Sequence, residues 1–400
     1  MTKKFFKNVE WQILIYCILL LVIGLVALYS ATIHNGLIEF NKQVKWFLIS
    51  IPILTFFTFV DYKKITKYSI IYYIISILLL IGVLYTKPIN GSSSWYDLGE
   101  LSFQPAEISK IFVILFISYV VSTIQNKGMD EINKIYKLVI PILVLLVPLG
   151  LILKQPDYGT GVAFIFAFVS IIYVSGIRKR YILPILLIGI IGGFVIWKYI
   201  IPVYAPHIIK RIDVFLNPGL DPRGAGYNVL QSKLAIGSGH VFGMGFMQGN
   251  QTQLGYLHPK TTDFIFAMIS EELGFIVSGV IIILYVLLIN KAIYISKTAR
   301  DNMGSYISIG IAAIFLYHML ENIGMTMGIL PITGIPLPFV SYGGSSLVTN
   351  FVLIGILLNV SGRRQKAIFV DIEKEKNGHG IISNIERKKN NFFKNNKVKN

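Results

Sequence analysis

The sequence predicts an all-α integral membrane protein of about ten transmembrane helices, with a long extracellular loop between the seventh and the eighth. Three observations predict it. Only 14% of the 400 residues are charged while 54% are hydrophobic, and the mean hydropathy is +0.65. Soluble domains carry nearer a quarter of charged residues. Apolar runs of membrane-crossing length recur along most of the chain. Lysine and arginine gather in alternate connections, as short cytoplasmic loops require.

The first run, "WQILIYCILLLVIGLVALYSATI" over 11–33, has the length of a spanning helix. Its "ALYSA" is a poor cleavage site, so the run reads as a retained span and not a signal peptide. Further spans are expected near 44–60, 67–85, 104–124, 138–153, 159–176, 181–201, 263–290, 305–330 and 344–360. The basic connections are "MTKKFFK", "DYKKITK", "NKGMDEINKIYK", "IRKR", "NKAIYISKTAR" and everything from "GRRQK" onward. With ten spans they all fall on one side, which puts both termini in the cytoplasm and the charge-poor connections outside.

The expected division is a polytopic membrane domain over 1–362 and a tail over 363–400. The tail holds eleven Lys or Arg against four Asp or Glu, a composition that predicts disorder near anionic headgroups. The membrane therefore accounts for the net charge of +17, and no nucleic-acid partner is expected. The single cysteine, Cys17, lies in the first span, which excludes intramolecular disulfides and a thiolate metal site. No Walker or Rossmann glycine pattern follows a strand, so no nucleotide cofactor is expected. No internal repeat is visible.

The unusual residues lie in the outward connections. In "INGSSSWYDLGELSFQPAEISKIFVILF", Gln104, Glu107 and Lys110 stand at i, i+3 and i+6, on one face near the outer end of the fourth span. Two readings stand for the acid and the base: an intrahelical pair that serves packing, or a Lys110 that offers positive charge to a phosphate. Asp157 is the lone acid of the tight turn "KQPDYGTG", a place where it can simply cap the next helix. The segment over 202–262 is too rich in glycine for a packed module and too apolar for a linker, so it is expected to line a cavity, partly embedded in the membrane. Arg211 at its start is either an anion contact or an interfacial anchor.

Asp263 is expected in the first turn of the eighth span, with Thr261 or Thr262 as N-cap. It is either a general base at a cavity mouth or a helix cap. Two turns deeper, Glu271 and Glu272 should not both face lipid. The last outward connection, "LPITGIPLPFVSYGGSS", contains Pro331, Pro336, Pro338, Gly343 and Gly344. That density forbids a helix, so the segment must line a cavity or pack on protein. Before it, His318, Glu321 and Asn322 interrupt the ninth span. These features describe a polar cleft that opens outward in a helical bundle.

The segments "QPAEISK", "KQPDYGTG", "QSKLAIGSG", "TTDFIFAMISEELGF" and "GIPLPFVSYGGSSL" resemble, in order and spacing, the signature stretches of the SEDS family (shape, elongation, division and sporulation). The resemblance covers all but the tail. "KQPD" and "QSKLAIGSG" look like the elongation branch of that family more than its division branch. The resemblance implies a peptidoglycan glycosyltransferase that polymerises lipid II, the undecaprenyl-pyrophosphate-linked disaccharide peptide, outside the cytoplasmic membrane during elongation and rod-shape maintenance. The 4-hydroxyl of an acceptor sugar would attack the anomeric carbon of the lipid-linked chain, with inversion and loss of the lipid pyrophosphate.

Carried over residue by residue, Asp263 is the family's essential aspartate and takes the hydroxyl proton. Lys110 and Arg211 are the expected cations for the departing pyrophosphate, with a divalent cation, Mg2+ or Mn2+, as a further aid. Gln104, Glu107, Asp157 and the "SYGGSS" stretch, with Ser341, Gly343, Gly344 and Ser345, are expected to shape the sugar and phosphate pockets. The resemblance also implies a partner, a class B penicillin-binding protein whose membrane helix docks on the bundle. The competing expectation, a lipid II flippase or other transporter, would ordinarily show internal repeats with paired broken helices.

Overall fold

The structure is a computed structural model that describes residues 3–87, 93–97, 102–178, 180–181, 198–199, 213–222 and 224–364. Its helices are α1 (Lys3–Asn8), α2 (Gln12–Thr32), α3 (Ile38–Phe59), α4 (Tyr62–Lys67), α5 (Ser69–Val83), α6 (Pro105–Gln125), α7 (Ile135–Lys154) and α8 (Tyr158–Val174), followed by α9 (Ala225–Ser238), α10 (Asn250–Gln253), α11 (Ile265–Thr298), α12 (Asn302–Thr326) and α13 (Gly344–Arg363). One short antiparallel pair, β1 (Tyr96–Asp97) and β2 (Ser102–Phe103), sits before α6 with Tyr96 opposite Phe103. The expected spans coincide with α2, α3, α5 to α8 and α11 to α13. The expected seventh span, Arg211 and the tail beyond 364 lie outside the described residues.

These segments are helical because a bilayer offers no partner to a backbone N–H or C=O, so each apolar run must satisfy its own. Among the described residues, six helices are long and apolar enough to cross a membrane: α2, α6, α7, α11, α12 and α13. α5 and α8 are shorter and apolar, and α3 carries Glu39, Lys42 and Lys45 in its first turns before becoming apolar. Pro105 opens α6 at a position where its missing N–H costs nothing. α13 is buried along almost its whole length and α12 along most of it. α12 packs on α8 and α11, and α13 packs on α3. The outer helices leave Ile70, Ile74, Leu143 and Ile283 exposed, as lipid-facing side chains are.

The two ends of the bundle differ. At the basic end, Lys63 meets Asp301 at 2.7 Å, Arg363 meets Asp61 at 3.3 Å and Lys291 meets Glu10 at 3.2 Å. Arg364 also pairs with Glu10. These contacts tie the N-terminal segment to α11 and the end of α13, and the α4 region to the start of α12 and the end of α13. The opposite end carries the proline- and glycine-rich connections and is called the site end below.

α11 is not continuous. Gly274 takes φ 77° and ψ −175° inside it, a conformation only glycine adopts readily. The backbone groups freed by the break are taken up by the loop that follows α9. Met244 N donates to Glu271 O at 2.8 Å and Gly245 N to Glu272 O at 3.1 Å, while Phe275 N and Ile276 N donate to His240 O and Val241 O. Two glycines permit this approach: a Cβ on Gly239 would stand 1.8 Å from Ser270 O, and one on Gly243 2.1 Å from Glu272 O. Where a cavity-lining segment was expected, the described part of it after α9 packs its backbone into a broken helix as a plug.

Candidate active site

Asp263 lies just before α11, not in its first turn. The N-cap position falls to Phe264, which makes no side-chain capping bond, so the expected Thr261 or Thr262 cap does not form. What holds Asp263 is the connection between α12 and α13. Thr261 O accepts from Tyr342 N at 2.9 Å, Thr262 O from Ser341 Oγ at 2.7 Å, and Asp263 O from Asn322 Nδ2 at 3.0 Å. Three consecutive carbonyls are thus claimed by one strap and the helix before it. The Asp263 side chain is half-buried. Gly334, with φ 76°, lies bare beside it: a Cβ there would come within 3.4 Å of Asp263 Oδ2.

The strap is itself braced. Leu337 N donates to Ser341 Oγ at 2.8 Å, Gln43 Nε2 donates to Ser341 O at 3.1 Å, and Gly343 N donates to Gln43 Oε1 at 3.2 Å. Ser341 is buried and both roles of its hydroxyl are used inside the protein. It therefore positions the strap, in place of the substrate contact expected of it. Gly344 is a packing glycine, because a Cβ there would meet the Trp46 indole at 2.1 Å. Gly343 precedes α13, and the first-turn N–H groups of Gly344, Ser345 and Ser346 have no acceptor among the described residues. Such donors at a helix start suit an anionic or hydroxyl-rich ligand.

The other predicted residues gather around the same strap. Gln104 Nε2 donates to Asp157 Oδ2 at 2.8 Å, and Thr160 N donates to Asp157 Oδ1 at 3.1 Å, so Asp157 does cap α8. Burial pushes the Asp157 carboxyl above the usual range, against the opposing pull of Thr160. This turn touches the strap at Gly159, where a Cβ would stand 2.8 Å from Ile335. Glu321, only 6% exposed, accepts from Thr333 Oγ1 at 2.8 Å. The three polar residues that interrupt the ninth span thus serve the strap: Glu321 at Thr333, Asn322 at Ile335 O, and His318 at Pro336 O.

Lys110 is not presented to the cleft. It is 1% exposed, with Nζ 2.8 Å from Glu107 Oε1 and 3.1 Å from His318 Nε2. The paired reading of Glu107 and Lys110 is the one the structure builds. Glu271 and Glu272 are also accounted for. Gln251 N and Thr252 N donate to Glu271 at 2.7 and 3.0 Å, and Ser30 Oγ and Met247 N donate to Glu272 at 2.6 and 3.2 Å. They hold the plug loop, and through Ser30 Glu272 also ties it to α2.

A family model described as "Cell cycle protein", covering FtsW, RodA and SpoVE, matches residues 11–366. The chain belongs to this family, the SEDS proteins. A SEDS relative, stage V sporulation protein E of Bacillus subtilis (strain 168), is 37% identical over 375 residues, covering 90% of this chain and 98% of its own. The peptidoglycan glycosyltransferase MrdB of Escherichia coli (strain K12) is 35% identical over 306 residues, 73% of this chain and 77% of MrdB. A solved chain described under "Structural coordination of polymerization and crosslinking by a peptidoglycan synthase complex" superposes with a TM-score of 0.75 at 24% identity, over 90% of this chain and 99% of that one. That likeness establishes a shared fold.

Proposed function

We propose that this multi-pass membrane protein is a peptidoglycan glycosyltransferase that polymerises lipid II in the cleft around Asp263. The observation that carries the proposal is the strap: three successive carbonyls ending at Asp263 are clamped, and Gly334 of the same strap lies against its carboxylate. Family membership supports the same activity. The acceptor 4-hydroxyl gives its proton to Asp263 as its oxygen bonds to the anomeric carbon. The bond from that carbon to the diphosphate oxygen breaks with inversion, and its electron pair leaves on the polyprenyl diphosphate. The free N–H groups at the start of α13, Gln104 and the Asp157 turn orient the sugars. Among the described residues no three His, Cys, Asp or Glu side chains converge, and the residue roles above are derived without a divalent cation.

The lipid tail needs an apolar channel, and one is present. A cavity of about 610 Å³ runs between α3, α4, α5, α6 and α13, lined by residues such as Phe57, Lys64, Tyr72, Ile111, Phe112 and Val352. Its lining includes Ile108, next to Glu107, and so reaches the site end. The alternation of basic connections favours a cleft that opens outside and both termini in the cytoplasm. The "KQPD" and "QSKLAIGSG" stretches favour the elongation branch, RodA, over FtsW. A class B penicillin-binding protein is the proposed partner, in keeping with the synthase complex to which the fold is similar.

The break in α11 is the one feature that favours a transporter, since broken helices line transport sites. Here, however, loop backbone fills the break and pairs its freed groups, which leaves no place there for a substrate. The deciding experiment incubates labelled lipid II with the wild-type chain and Asp263→Asn, each with and without a co-purified penicillin-binding protein. Glycan ladders from the wild type alone are expected. Equal ladders remove Asp263 from the chemistry, and no ladders from any folded sample return the transporter.

A further inference from the structure

With Lys110 closed in an ion pair, the described cleft needs another source of positive charge for a departing diphosphate. Lys233 on α9 is set up for that role. Neighbouring Ser232 Oγ donates to Thr326 O at 2.7 Å and pins α9 to the last turn of α12. Gly328, at φ 67°, lies bare beneath the lysine stem: a Cβ there would stand 2.1 Å from Lys233 Cε and 2.6 Å from Nζ. The stem is therefore laid across the turn that ends α12.

The ordinary fate of a lysine in such a place is to cap that helix. The structure closes this route. Ile323 O accepts Met327 N, Gly324 O accepts Ile329 N and Leu330 N, Met325 O accepts Gly328 N, and Thr326 O is taken by Ser232. Every carbonyl of the last turn is occupied. Among the described residues the Lys233 ammonium, on an exposed side chain, makes no hydrogen bond or ion pair, so its charge is available to a ligand.

Its surroundings indicate the kind of anion. Leu230 and Leu234 flank Lys233 on α9 and are 44% and 55% exposed, so the charge sits on an apolar face suited to a lipid-borne group. The same helix leads into the site. Within about one turn of Lys233, Ala235 and Ile236 pack with Leu257, Phe264 and Ile332. Phe264 follows Asp263, and Ile332 lies in the strap just before Thr333 and Gly334.

We propose that Lys233 binds the diphosphate of a polyprenyl-linked sugar, with Leu230 and Leu234 against the adjoining prenyl units. This rests on the polymerase reading and names the leaving-group contact within it. As the bond from the anomeric carbon to the diphosphate oxygen breaks, negative charge grows on that oxygen, and the ammonium donates a charge-assisted hydrogen bond to the diphosphate. An inverting displacement puts the base and the leaving group on opposite sides of the reacting carbon, which suits a cation on α9 and an aspartate before α11.

The test is binding, independent of turnover. The full chain in phosphatidylcholine nanodiscs is titrated with geranylgeranyl diphosphate as wild type, Lys233→Ala, Lys233→Arg and Asp263→Asn. Losing one charge-assisted bond predicts about a tenfold weaker affinity for Lys233→Ala, with Lys233→Arg and Asp263→Asn close to wild type. In polymerisation, Lys233→Ala should lower kcat/KM for lipid II by a similar factor, and Lys233→Arg should restore it. Equal affinities for wild type and Lys233→Ala overturn the proposal, as does a wild type that binds no prenyl diphosphate. Repeating the titration with phosphatidylglycerol separates the two sources of lipid phosphate. If that lipid abolishes the Lys233-dependent binding, the lysine serves bulk headgroups and the proposal is overturned. Lys233-dependent binding by a chain that makes no glycan would sink the polymerase reading and leave the diphosphate contact standing.

Discussion

Removing Lys110 alone should cost more stability than removing its whole ion pair. Lys110 and Glu107 are 1% and 2% exposed. Lys110 Nζ also meets His318 Nε2, and His318 Nδ1 stands 3.2 Å from Pro336 O. A carbonyl only accepts, so the proton is on Nδ1 and Nε2 accepts from the ammonium. Lys110→Met strips His318 of that donor. It also leaves Glu107 with no partner at either oxygen, because Oε2 already lacks one. Breaking one side of a buried pair costs about 3–5 kcal/mol, whereas replacing both sides with apolar groups of similar volume is often near neutral. Glu107→Leu/Lys110→Met should therefore recover most of the loss, with a coupling of about 3 kcal/mol in a double-mutant cycle. The assay is SDS-induced unfolding of the purified chain, followed by tryptophan fluorescence. Single and double variants of equal instability, with coupling near zero, would refute the argument. Because His318 braces Pro336 in the strap, Lys110→Met should also slow polymerisation.

Further predictions follow from the strap, the plug and the basic end. Ser341→Ala removes the acceptor of Leu337 N and the donor to Thr262 O, so about 1–3 kcal/mol should be lost; because the strap carries the Asp263 turn, kcat for glycan synthesis should fall more than lipid II affinity. Gly243→Ala combines a φ of 85° with a Cβ 2.1 Å from Glu272 O. About 2–4 kcal/mol of strain and overpacking is expected, read as faster hydrogen exchange over 240–253. At the basic end, burial raises Glu10 and Asp301, but Arg364 and Lys291 at Glu10, and Lys63, the Gly304 N–H and Tyr62 at Asp301, outweigh it and hold both carboxyls below their usual range. A lowered folded pKa contributes stability above the unfolded value near 4 that is lost as pH falls through the folded value. SDS resistance should therefore drop below about pH 4, and Glu10→Gln should flatten that drop.

The membrane bundle is legible in the sequence, because apolar run length and loop charge are local quantities and a bilayer allows such a run little besides a helix. So is the strap, since Pro331, Pro336, Pro338 and Gly343 stand too close together for a helix. Asp263 stands out as an acid at a span end. What the remaining polar residues do depends on contacts made only on folding. Glu271 and Glu272 read as buried acids of the bundle because their partners, the backbone N–H groups of Met247, Gln251 and Thr252, lie about twenty residues upstream and bear no side-chain signature. Lys110 carries the same charge whether it is paired or free, and the partner that closes it, His318, is 208 positions away. Ser341 and Gly344 lie in a motif that reads as substrate-facing, yet one is consumed by Thr262 and Leu337 and the other by the face of Trp46. Lys233 shows the converse. It stands within "QSKLAIGSG", where the sequence marked no separate role for it, and it becomes a candidate contact because folding occupies the carbonyls of the last turn of α12 beside it and leaves its charge unspent among the described residues.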